Sequence, residues 1–154
     1  MGALENILDR LTAFEEQTIT GSKAYSGAMV QTGASLYWTN QLSVTSAAPR
    51  GIGYAQINVT AQLRLHRCKF TELQVNDGLQ RQCIADLGAI IAALSRSNGR
   101  DLISTLYPTR YPALLPQSEL PITGTLALIP APDGTDHFGA VVTISFAYLE
   151  TGAS

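Results

Sequence analysis

Charge is scarce in this chain. Twelve acidic and ten basic residues among 154 make 14%, against roughly a quarter in ordinary soluble domains. The formal net charge is −2, which leaves no global electrostatic case for a nucleic-acid binder. So few charges leave a lone monomer poorly protected against self-association and favour a subunit whose surface is partly covered in an assembly. Cysteine is nearly absent. Cys68 and Cys83 form neither a metal-ligand spacing nor a redox motif, and Cys83 falls on the apolar stripe of a helix, as a small core residue does. There is no leader-like segment and no apolar run near the roughly 18 residues of a membrane span. A soluble, intracellular protein with reduced thiols and no membrane partner is the expectation.

The chemistry of catalysis is thin as well. The chain has two histidines. His66 and Cys68 share one face of a strand, but same-face neighbours two apart stand about 7 Å from one another, too far for a nucleophile and its base. His137 lies beside Asp133 and Asp136, a grouping that reads as a solvated hairpin tip, since a metal needs three or four converging ligands. No glycine–lysine phosphate loop is present. An enzyme is not expected, and neither a cofactor nor a metal.

What the sequence does contain is periodicity. From Ala55 to His66, Ile57, Val59, Ala61, Leu63 and Leu65 alternate with Gln56, Asn58, Thr60, Gln62, Arg64 and His66. A period of two marks a strand with one dry and one polar face. It extends from about Tyr54 to Lys69, long enough to require a bend or bulge. The polar face carries no aromatic residue on which a base could stack.

Two amphipathic helices are expected. Leu4, Ile7, Leu8, Leu11 and Phe14 stripe a helix over about Ala3–Gln17, ended by Gly21. Leu79, Cys83, Leu87, Ile90 and Leu94, widened by Ile84 and Ile91, stripe a second over Asp77–Arg96, capped by Asn76 or Asp77 and stopped near Gly99. Gly88 sits inside it. Residues 21–53 are rich in small residues and read as a flexible, extended arm or loop. Within it are a strand at Ser35–Thr39, a short strand or arm at Ala24–Val30, and a loop at Ser46–Gly53. Four prolines make 106–121 a semi-rigid connection. Ile122–Ile129 and Ala140–Leu149 form a closing antiparallel hairpin, with Pro132-Asp133-Gly134 in the joining segment. The whole 1–154 chain reads as one α+β domain, an antiparallel-rich β-sheet with two helices packed on one face and a C-terminal hairpin.

The charges are unevenly placed. Residues 50–110 carry eight basic groups (Arg50, Arg64, Arg67, Lys69, Arg81, Arg96, Arg100, Arg110) and four acidic ones (Glu72, Asp77, Asp86, Asp101). Complementary patches on neighbouring copies can use such asymmetry. The candidate contact is Arg64, His66, Arg67 and Lys69 on one subunit against Glu15, Glu16 and Glu119 on the next.

This order of elements resembles the tail terminator proteins of long-tailed bacteriophages, also called tail-completion or neck subunits. The resemblance rests on four pieces. These are the helix Leu4–Phe14, the strand ending Tyr37-Trp38-Thr39-Asn40 with its proline loop and the alternating Ile57–Leu65, the single long helix Asp77–Arg96, and the hairpin Leu126–Leu128 with Val142–Tyr148. It implies a structural virion protein, built in the host cytoplasm, that forms a ring of six copies. Such a ring caps the tail tube, docks the head–tail connector and passes DNA through its lumen without reading sequence. Head–tail joining or sheath-capping neck proteins are the alternative within this class. A cellular protein-interaction module is the alternative outside it.

Overall fold

The computed structural model describes residues 3–25, 36–51, 53–96, 122–132 and 134–151. The elements in chain order are α1 (Ala3–Thr18), β1 (Lys23–Tyr25), β2 (Tyr37–Gly51), β3 (Tyr54–His66), β4 (Cys68–Lys69), α2 (Phe70–Leu73), α3 (Asp77–Arg96), β5 (Ile122–Pro130) and β6 (Asp136–Thr151). The strands form one six-stranded sheet in the order β1-β2-β3-β6, with β4 and β5 also paired to β6. Every pairing is antiparallel except that of β1 with β2. This is the expected α+β architecture with its C-terminal hairpin, to which the one-turn helix α2 is an addition.

The alternation in β3 sorts the two faces as it predicts. Val59, Ala61, Leu63 and Leu65 are buried, and across the ladder they meet Phe146, Ile144 and Val142 of β6 and Trp38 and Leu42 of β2. Ile7, Leu11 and Phe14 of α1 and Ile90 and Leu94 of α3 close over that face in the same core. Each such side chain contributes about 1.5–3 kcal/mol on burial. Gly124 of β5 lets α3 come close, because a Cβ there would stand 2.9 Å from Leu87 Cδ1.

Local chemistry sets the helix ends. Gly21, at a φ of 85°, turns the chain after α1, where only glycine carries no Cβ penalty. Ser22 beyond it donates to the Ile19 carbonyl and accepts from Trp38 Nε1. Asn76 caps α3 by accepting from the Gly78 amide at 2.9 Å. The α3 stripe is narrower than the sequence suggests, since Ile84 is 55% exposed. Asp86, which is not part of the apolar stripe, is buried as well.

The long strand is interrupted by a bulge, as its length leads one to expect. Arg64 pairs with Val141 but Cys68 pairs with Phe138, so four steps on this strand answer three on β6. The extra residue leaves Arg67 outside both strand spans, and its amide donates to the Phe138 carbonyl. β4 thus continues β3 along the same edge of β6, because the opposite edge of Phe138 and Val141 is taken by β5.

The segment 21–53 differs most from expectation. Instead of a flexible arm and loop, residues 37–51 form a strand paired along its length with β3, and Lys23–Tyr25 add a parallel strand. Small polar residues signal little by themselves, but β3 supplies a complete ladder to pair with. Pro49 is tolerated because β2 borders the sheet there. Gly53, at a φ of 81°, makes the turn into β3. β6 also starts earlier than expected, at Asp136. Residues 26–35, the expected stop at Gly99 and the proline-rich connection 106–121 lie outside the described residues.

Candidate functional site

The face of the sheet away from the helices is polar through its middle, with Val141 and Ala147 of β6 as apolar neighbours on the same face. Gln41 and Ser43 of β2, Asn58, Thr60 and Gln62 of β3, and Thr143 and Ser145 of β6 lie side by side. Asn58 Nδ2 donates to Ser46 Oγ at 2.7 Å, and the Thr60 and Ser145 hydroxyls stand 3.4 Å apart. Amides and hydroxyls of this kind neither ionise near neutral pH nor act as strong nucleophiles.

At the end where β4 begins, the same face closes into a buried polar cluster. His66 is 1% exposed and His137 6%. Their Nδ1 atoms lie 3.1 Å apart, so one carries the proton and donates to the other. Thr39 Oγ1 is 2.9 Å from His66 Nε2, and Tyr37 Oη is 3.4 Å from His137 Nδ1. Tyr37 stacks on His66 with ring centroids 4.3 Å apart. His137 Nε2 is buried without a hydrogen-bond partner among the described residues. Burial first, then the neighbouring His137 and Arg64, lowers the His66 pKa from 6.5 to about 4. His66 is therefore held without charge at neutral pH. No group of three or more His, Cys, Asp or Glu that could hold a metal occurs among the described residues.

The cluster corrects the picture of His137 as part of a solvated tip. β6 starts early enough to carry it back into the sheet opposite Lys69. No local signal could have revealed this, because the partners are 71 residues apart. With Tyr37, His66 and His137 all buried, these rings present no platform to a nucleic-acid base.

The candidate contact residues are placed unequally. Glu15 is fully buried and accepts from Asn40 Nδ2 at 2.7 Å. Burial pushes its carboxyl well above the usual carboxylate range, the Asn40 bond opposing and the Glu16 charge adding. Arg67 donates from Nε and Nη2 to the two Asp86 oxygens, both at 2.7 Å. That fork ties the bulge to α3, so Arg67 is occupied within its own chain. Glu15 and His66, being interior, are not offered to a neighbour. Arg64 is half-buried on the polar face with its Nε unpartnered. Lys69 and Glu16 are exposed. Glu119 lies outside the described residues.

The two thiols are free and buried. Burial pushes both up, Cys83 to about 12 with the Cys68 and Asp86 charges adding. Neither is poised as a nucleophile, which needs thiolate. No helix among the described residues is long and apolar enough to cross a membrane. No protein-family profile matches the chain, and no curated protein matches it in sequence.

Proposed function

We propose that this chain is a structural subunit that assembles into a closed ring, in the manner of a phage tail terminator. The observation that carries the reading is the two-faced sheet. One face is sealed by α1 and α3. The other is a long, half-exposed surface of Gln, Asn, Ser and Thr. Such a surface suits the wall of a water-filled passage, since it hydrates well and holds no charge array that would grip a passing polyanion. The buried polar groups at its end bond to one another, which fits a rigid building block.

On this reading the ring caps the tail tube, meets the head–tail connector and lets DNA pass unread. Closed rotational symmetry needs a contact joining two different patches of the subunit, repeated until the ring shuts. Among the described residues, Lys69, Arg64 and Glu16 are the charged candidates that can flank such a contact. Sedimentation velocity and negative-stain microscopy of the purified chain test the proposal. The expected result is a discrete annular particle of a few copies, six by the resemblance. A monomer at the highest attainable concentration overturns it.

A further inference from the structure

The sheet has two outer borders, and each has a stretch that no described strand covers. β5 pairs with β6 along one side only, and no described strand pairs its other side. Its residues, ITGTLALIP, include no charge. Thr123, Gly124 and Thr125 are exposed, and Leu128 is 51% exposed. At the opposite border, β1 covers β2 at Tyr37–Thr39 only. From Asn40 to Val44 the sequence is again uncharged, and Val44 is 49% exposed. The register shift between Val44 and Ser46 then interrupts that border. The open window on β2 is thus bounded by β1 at one end and a bulge at the other. It is five residues long, a common strand length.

A border of unpaired main-chain groups is a template for another strand, and monomers blunt it with lysine, proline, bulges or cover. We propose that the outer edge of β5 takes up the Asn40–Val44 edge of a second copy of this chain, so that copies join head to tail in one continuous sheet. This rests on the ring reading and names the surface that closes it. The occupant is a sibling copy because each open border finds its complement at the far side of the same sheet. Neither β5 nor the Asn40–Val44 window holds a charge that would select a charged partner or repel a neutral one. Pairing β5 with another β5 would instead leave every β2 window open. Strand addition gives affinity through main-chain hydrogen bonds. Because the pairing runs from one side of the subunit to the other, the contact propagates and closes. It also carries the polar face of each sheet into line with the next.

Two variants test this, each adding lysines on both faces of one border. One is Ser43→Lys with Val44→Lys, and the other is Thr125→Lys with Leu128→Lys. All four positions are exposed, and circular dichroism and thermal unfolding check that both variants fold. Native mass spectrometry is read on the wild type, each variant and their equimolar mixture. The expected result is rings for the wild type, monomers for each variant alone, and a mixed dimer and nothing larger for the mixture. Rings that persist in both variants overturn edge pairing and leave the ring reading standing. Dimers of the β2 variant alone mean β5 pairs with β5, which also overturns it. A monomeric wild type removes both the pairing and the ring.

Discussion

At the scale of the residue, two buried groups titrate with opposite sign. His66 has a folded pKa below its unfolded value, so between pH 6.5 and about 4 the unfolded chain binds more protons than the folded one. The stability His66 lends is present above 6.5 and lost as pH falls through that window. Glu15 is raised, so its contribution is present below the ordinary carboxylate pKa and lost as pH rises through the folded value. Urea unfolding across pH separates the two. His66→Gln is expected to flatten the decline below pH 6.5, and Glu15→Gln to raise stability relative to wild type at pH 8. Gly139 is constrained by packing instead. A Cβ there would overlap the Leu65 carbonyl oxygen where β6 crosses the bulge. Gly139→Ala should cost about 3 kcal/mol, the upper end for overpacking, because main chain and not a flexible side chain must yield. Chemical denaturation measures the loss.

At the scale of the element, α3 shows how far periodicity reaches. Its bounds, cap and buried positions 83, 90 and 94 follow from spacing and capping chemistry. Asp86 shares that face, and its burial depends on Arg67 arriving from the bulge. Gly88 is exposed, and a Cβ there would meet nothing within 4 Å. No packing justifies a glycine at that point in the helix. Gly88→Ala should therefore stabilise by about 0.5–1 kcal/mol, seen as a rise of roughly 2–4 °C in Tm per kcal/mol. β2 is the opposite case. Its sequence of small polar residues has weak strand character, and its order comes from the thirteen residue pairs it makes with β3.

At the scale of the whole molecule, low charge and two open borders bear on the same question. If neighbouring copies meet through main-chain hydrogen bonds, assembly should survive salt. At 1 M the Debye length is about 3 Å, so exposed Lys69 and Glu16 would be screened while edge pairing would not. Sedimentation at 0.1 M and 1 M NaCl is expected to give the same particle, and dissociation at high salt would point to the charged groups as the contact. The sequence alone determined the α+β class, both long helices, the two faces of β3 and the closing hairpin, because each is written in local periodicity. Tertiary structure decided the rest. It made residues 37–51 a strand by giving them a partner. It joined His66 to His137 and Arg67 to Asp86, and it buried Glu15 of α1 against Asn40 of β2. Those outcomes depend on which distant segments the sheet brings together, and no spacing within a single segment encodes that.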